Sequence, residues 1–127
     1  MFQSSVEVAR AGDGEFEPLK GWVDAGAFYS QFPAVLLSRL GYSPSLTAEL
    51  VTAHGTRSSA PNGDVFVRIG EETHSVVAVF GEGPSEVLIG VTTLEVFRLA
   101  ADPVQERLIP STPRVLTMLP VPESRRE

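Results

Sequence analysis

An all-β fold carrying two short helices is the expectation from this sequence, and three features lead to it. Its 127 residues hold 11 glycines and 10 prolines, a density that favours short segments joined by tight turns. Most apolar runs are only a few residues long, and several alternate apolar with polar positions, the period of a half-buried strand. Only two stretches show helical spacing with plausible stops. A chain of 13.7 kDa fits one domain, assigned to residues 1–110, followed by a Pro-rich tail over 111–127.

Taken in order, Val6 and Val8 alternate with polar neighbours, and Gly12-Asp13-Gly14 supplies a turn that tolerates positive φ. Leu19–Val23 is the next predicted strand. Pro33–Gly41 is the clearest helix: proline suits the first helical position, Leu36, Leu37 and Leu40 form an apolar face, and Gly41 provides a left-handed stop. Leu46–Ala53 and Arg57–Ala60 flank His54-Gly55 as the two arms of a hairpin. Asn62-Gly63-Asp64 is expected to turn the chain into Val65–Ile69, and Gly70-Glu71-Glu72 to return it into Thr73–Phe80. That last strand is apolar on both faces and should be covered on both sides. Val87–Gly90 reads as a buried strand and Val91–Leu99 as the second helix, with Thr92 as N-cap, Glu95 completing a capping box, and Asp102-Pro103 closing it. Arg107–Ile109 is a late strand. The tail carries Pro110, Pro113, Pro120 and Pro122 around an apolar Val115–Leu119 segment, and its last five residues are expected to fray.

Composition removes whole classes of function. Ten Lys and Arg against sixteen Asp and Glu leave a formal charge of -6, a sign that repels phosphate backbones, so no nucleic-acid partner is expected. Without cysteine there is no disulfide framework, thiolate nucleophile or zinc-thiolate site. Two histidines, His54 and His74, are too few for a His-rich metal centre, so no metal is expected. Met1–Ser5 has no basic n-region or apolar h-region, and no apolar run reaches a membrane span. The expected location is the cytoplasm, away from membranes. Phosphate loops and GxSxG elbows are absent as well.

What remains is Trp22-Val23-Asp24-Ala25-Gly26-Ala27. One carboxylate follows an apolar strand directly and precedes a glycine that allows a sharp turn. On its own this motif far more often marks a turn-forming Asp than a catalytic one. In order, the chain runs apolar strand, Asp-x-Gly-Ala, short helix, hairpin, two strands, apolar-apolar-Gly, and a second short helix. With Val23–Ala27, Leu40-Gly41, the hairpin at His54-Gly55, Leu88-Ile89-Gly90, Gly90–Glu95 and Asp102–Pro110, it resembles the retropepsin-like aspartic proteases, bacterial members included. The likeness spans about Phe16 to Pro110.

That resemblance implies a single-lobe, pepsin-like closed β-barrel that forms a symmetric homodimer, and an endopeptidase needing no cofactor. Asp24 would be catalytic once from each subunit, with Ala25, Gly26 and Ala27 completing the active-site loop. Ala53, His54, Gly55 and Thr56 would form the flap over a peptide substrate, and Leu88, Ile89 and Gly90 would wall the cleft. The late strand and part of the tail would join the dimer sheet. Position 25 departs from the family, which carries Thr or Ser there; the Ala25 side chain can neither donate nor accept a hydrogen bond. Two other readings therefore stand beside proteolysis: a catalytically weakened peptide-binding or dimerisation module on the same fold, and an unrelated small barrel in which Asp24 only turns the chain. His54 reads as an exposed tip residue and His74 as solvent-facing. Phe28, Tyr29 and Phe32 suit either a peptide subsite or the core.

Overall fold

The computed structural model describes residues 1–12, 14–51 and 54–111. Nine strands and two helices follow one another as β1 (Phe2–Ala9), β2 (Phe16–Val23), β3 (Ser30–Pro33), α1 (Ala34–Arg39), β4 (Leu46–Val51), β5 (Arg57–Ile69), β6 (Glu72–Gly81), β7 (Leu88–Ile89), α2 (Val91–Val96), β8 (Leu99–Asp102) and β9 (Arg107–Pro110). Seven strands form one sheet in the order β1-β2-β7-β3-β6-β5-β4. Because β5 also pairs back onto β1, through Glu7 with Arg68 and Val8 with Val67, six of them close into a ring. The expected barrel is present, and closure leaves β4 as an arm paired only with β5.

Alternation along the strands fills this barrel. Val6, Val8, Val65, Val67, Phe32, Leu37 and Ile89 are fully or almost fully buried, with Leu94 and Phe97 of the α2 region closing one end. Truncating one such residue to alanine would cost about 2–5 kcal/mol through lost transfer energy and the cavity left behind. β6 sits between β3 and β5, and its last four residues, 78–81, are all buried, as its two-faced apolar pattern requires.

The first helix stops where expected. Gly41 adopts φ +94, its N–H bonds the Ser38 carbonyl at 3.0 Å, and the Tyr42 N–H bonds that of Leu37 at 2.9 Å, a Schellman ending. Pro33, however, is the N-cap and the last residue of β3 rather than the first helical residue. The second helix is shorter than its spacing suggests. Gly90 is the N-cap in extended backbone, no side chain caps it, and the Thr92 hydroxyl bonds elsewhere. Arg98 ends the helix with φ 54, so Leu99–Asp102 is free to form β8 against β9, and Asp102-Pro103 opens the turn between those strands. Asn62-Gly63-Asp64 is not a turn either: β5 runs through it without a break. A Cβ at Gly63 would lie 3.2 Å from Ser45 Oγ, so glycine here makes room for the segment entering β4. Of the expected tail, 111–127, residues 112–127 lie outside the described residues.

Two polar ties link the barrel to α1. The Tyr42 hydroxyl donates to the Ala9 carbonyl at 2.6 Å and accepts from the Phe66 N–H at 3.2 Å, joining β1 to β5. Arg39 at the end of α1 bonds both oxygens of Glu17 in β2, at 2.9 and 2.7 Å. The Arg39 hydrogen bonds hold the Glu17 carboxyl below its ordinary value of 4.5. A carboxyl depressed in the folded state contributes stability that is fully present above its unfolded value and disappears as pH falls through the folded one. Glu17→Gln is therefore expected to be less stable than the native chain near neutral pH, with the difference shrinking once the pH is taken well below 4.5. Urea unfolding under both conditions checks this, and a difference independent of pH contradicts it.

Candidate active site

The loop that carries Asp24 is built around β7. β2 runs parallel to β7, with Trp22 opposite Leu88 and Val23 opposite Ile89, while β3 runs antiparallel to it, with Gln31 opposite Leu88. The chain leaves β2 on one side of β7, turns through residues 24–29, and returns as β3 on the other side. The loop thus straddles a strand brought from more than sixty residues away.

Backbone bonds pin its two limbs. The Asp24 N–H donates to the Ile89 carbonyl at 3.0 Å, and the Ala27 N–H donates to the Asp24 carbonyl at 3.1 Å. From the far side, the Val91 N–H reaches the Ala27 carbonyl at 2.8 Å, and both the N–H and hydroxyl of Thr92 reach the Phe28 carbonyl, at 3.0 and 2.9 Å. Gly90 lies so close to the loop that a Cβ there would sit 2.5 Å from the carbonyl carbon and oxygen of Tyr29. Only glycine fits at that approach.

Beneath the loop is a buried polar knot. Ser30 Oγ accepts the Gly90 N–H at 3.0 Å and shares a 2.6 Å hydrogen bond with Thr93 Oγ1; Ser30 and Thr93 are both fully buried. Sequence reading missed this pair, although a serine inside the apolar Phe28–Phe32 stretch, with a threonine opening a buried helix, was the available signal.

Asp24 as a whole is half-buried, and its Oδ1 accepts the Gly26 N–H at 2.9 Å. Ala25 and Gly26 are exposed, and Phe28 is 64% exposed. Nothing within the subunit demands glycine at position 26, where a Cβ would meet only Asp24 Oδ1, at 3.3 Å.

The sequence-predicted site residues fall into two groups. Asp24, Ala25, Gly26 and Ala27 are joined directly to Ile89 and Gly90 by the bonds above, and Leu88 lines a recess of about 190 Å³ together with Ala27, Phe28, Tyr29, Gln31 and Val79. Ile89 is fully buried and packs in the core instead of facing a cleft. His54, Gly55 and Thr56 form the second group, exposed at the tip of the β4–β5 hairpin, with Gly55 at φ +79; Ala53 lies outside the described residues. None of the tip residues lines the recess beside the loop. Phe32 belongs wholly to the core, and His74 is half-buried with its ring edge-on to Phe97, centroids 4.7 Å apart, rather than simply solvent-facing.

Two larger recesses, about 440 and 520 Å³, lie along β1–β2 and under the β8–β9 hairpin. Neither includes Asp24, and both mix acidic with basic linings, so size alone does not make either the centre of chemistry. Among the described residues, no three His, Cys, Asp or Glu side chains are grouped to hold a metal, and no helix is long and apolar enough to cross a membrane.

Solved structures share this fold. The protease of EIAV, solved with the inhibitor HBY-793, superposes with a TM-score of 0.54 at 16% identity, covering 75% of this chain and 86% of the viral one. Simian foamy virus (mac) protease superposes with a TM-score of 0.53 at 16% identity, covering 75% and 93%. The fold is retropepsin-like. No protein-family model matches the sequence, and neither does any curated protein.

In this retropepsin-like chain the Ser30 knot holds β7 against the loop, which yields an ordered pair of expectations. Ser30→Ala strands the buried Gly90 N–H and the Thr93 hydroxyl together, and should destabilise by about 1–3 kcal/mol. Thr93→Val removes one partner while Ser30 keeps the Gly90 N–H, and should cost less. Denaturant unfolding of the two variants checks the ranking, and equal losses contradict it.

Proposed function

We propose that the chain is an aspartic endopeptidase that works as a symmetric homodimer, its dyad made of Asp24 from each subunit. The observation that carries this reading is an unfinished site: one carboxylate on a rigidly backed loop whose leading edge, Ala25 and Gly26, is exposed. Hydrolysis of an amide needs a base to take a proton from water and an acid to give one to the scissile carbonyl. A lone carboxylate cannot hold both roles at once. A two-fold axis through the loop supplies the second copy, and two carboxylates within a few ångströms hold one proton between them. The free face at Gly26 then has a reason, since close approach of the partner's loop is what a side chain there would block.

The retropepsin-like fold supports the same reading, and so does the hairpin. β4 and the first half of β5 leave the barrel as a separate arm, with His54, Gly55 and Thr56 at its exposed tip. An arm of this kind can fold over an extended peptide and give it backbone hydrogen bonds. His54 serves there as a contact and not as a base, because the carboxylate pair already supplies both acid and base.

Ala25 favours a second reading, a peptide-binding dimer with weakened catalysis. Its methyl group cannot brace a partner loop by hydrogen bonding. Cleavage of a mixed peptide library at mildly acidic to neutral pH separates the two. Proteolysis by the native protein that is lost in Asp24→Asn, with unfolding behaviour retained, is the expected result; cleavage surviving in that variant overturns the dyad. Peptide binding without turnover selects the weakened module.

Ala25→Ser restores a hydroxyl at the loop edge, and is expected to tighten dimerisation by roughly 3- to 10-fold per bond formed. Sedimentation over a concentration series measures the change. A monomer at every concentration, for native protein and variant alike, defeats the homodimer.

A further inference from the structure

One stretch of the barrel wall carries backbone groups that no strand meets. At the β1–β2 turn the Arg10 N–H donates to the Glu15 carbonyl. Bonded pairs in an antiparallel ladder recur every second residue, so Val8, Val6 and Ser4 bond across to β2. Gln3, Ser5 and Glu7 therefore turn their N–H and C=O groups to the other edge. Glu7 meets Arg68 of β5 there, but β5 ends at Ile69 and the chain reverses through Gly70 at φ +64. Among the described residues, Gln3 and Ser5 have no strand beyond them.

The recess of about 520 Å³ opens at this edge. Gln3 and Ser5 line it together with the apolar residues Ile69, Phe97, Leu99 and Leu108, the last two from the β8–β9 hairpin. The recess of about 440 Å³ shares Ser5, Lys20 and Gly70 with it, which extends the groove along β1 past Glu7.

Charge sets this groove apart. Arg39, Arg57, Arg68 and Arg98 are each paired with a glutamate, and Arg10 is engaged as well. Of the described cations, that leaves Lys20 and Arg107 without a carboxylate partner, and both line the larger recess. Lys20 holds only the Ser5 hydroxyl, at 3.2 Å. Of the two glutamates in that lining, Glu72 is held by Arg98 and His74, at 2.7 and 3.0 Å, so Glu106 alone stands against two cations. In a chain of formal charge -6 this is a local excess of positive charge.

We propose that the groove docks an extended acidic segment of a partner protein, which adds a strand to the free edge of β1. Strand addition supplies main-chain hydrogen bonds to Gln3 and Ser5. Apolar side chains of the segment cover Ile69, Leu99 and Leu108, while its carboxylates meet Lys20 and Arg107. A small anion would meet the cations but leave the strand edge unpaired, so a peptide is the better fit. The groove excludes Asp24, and this docking stands or falls apart from the proteolytic reading.

The probe is a fluorescein-labelled octapeptide alternating Val and Glu, beside a counterpart alternating Val and Lys, read by fluorescence anisotropy. Native protein and Asp24→Asn should bind the acidic peptide alike, and the basic one roughly 10-fold more weakly or worse. Lys20→Glu and Arg107→Glu change exposed side chains, and each should weaken binding of the acidic peptide by roughly 3- to 10-fold. N-methylation at alternate peptide residues should abolish binding in one phase and spare it in the other, since only every second N–H faces β1. Equal affinity for the two peptides, unchanged binding in both charge variants, or tolerance of both methylation patterns overturns the proposal. Binding lost in Asp24→Asn moves the peptide to the catalytic loop and overturns it too. Self-association abolished by Lys20→Glu, without peptide binding, gives the groove to a second copy and overturns the partner. A peptide of residues 112–127 that displaces the acidic probe and binds more tightly overturns the partner in favour of the chain's own tail.

Discussion

The whole arrangement depends on two backbones approaching closer than side chains allow. β7 is threaded between the limbs of the Asp24 loop, and at Gly90 the separation leaves no volume for even a methyl group beside Tyr29. Once that contact is made, the neighbouring bonds follow from it: Ile89 meets Asp24, Val91 meets Ala27, and Thr92 meets Phe28. Gly21 makes the same allowance in β2, where a Cβ would lie 2.9 Å from the Ile89 side chain. Gly21 in β2 and Gly90 just past β7 thus let β7 settle between β2 and β3, and the buried Ile89 locks it there. Placement of the carboxylate is a product of sheet topology, with no dedicated side chain holding it from above.

That economy explains why the loop can be rigid and exposed together. Loops usually gain exposure at the expense of order, since their backbone groups are left to water. Here the backbone of Asp24, Ala27 and Phe28 is bonded from below by β7 and the start of α2, the Gly26 N–H is taken by Asp24 Oδ1, and Ser30, itself bonded to Thr93, accepts the Gly90 N–H beneath. The upper face at Ala25, Gly26 and Phe28 is left free to meet a second molecule. A preorganised loop presented to solvent is what both general acid–base chemistry and a symmetric interface require.

How much of this was legible in the sequence follows from which signals are local. Gly41 marked the end of α1 because a left-handed stop is ordinarily glycine, and the Schellman bonds are where that rule puts them. The same rule hid the end of α2, where Arg98 takes the left-handed position, so helical spacing ran on into what is really β8. Asn62-Gly63-Asp64 has the composition of a turn, yet Gly63 is there for the passage of Ser45, a tertiary cause that no window of sequence displays. Asp24 and Leu88-Ile89-Gly90 stood out by type and order. Ser30 and Thr93 did not, because their roles come from elements that meet only in three dimensions. His74 went the same way: its half-buried place is set by Phe97, which lies in a different element.

The departure at position 25 can be weighed against what the rest of the interface offers. A hydroxyl bond between subunits contributes about 0.5–1.5 kcal/mol net, counted twice by symmetry. Phe28, 64% exposed and packed edge-on against Tyr29 with centroids 4.8 Å apart, stands four residues past Asp24 in the same loop. Burying a phenylalanine side chain contributes about 1.5–3 kcal/mol, again twice. In the proposed homodimer, an apolar contact by Phe28 is thus large enough to offset two missing hydroxyl bonds. It would not replace their directionality. Hydrogen bonds across the axis orient the facing loops as well as holding them, whereas apolar burial holds without orienting; orientation in this chain would then fall to the backbone bonds of β7 and to Gly90, which are intact.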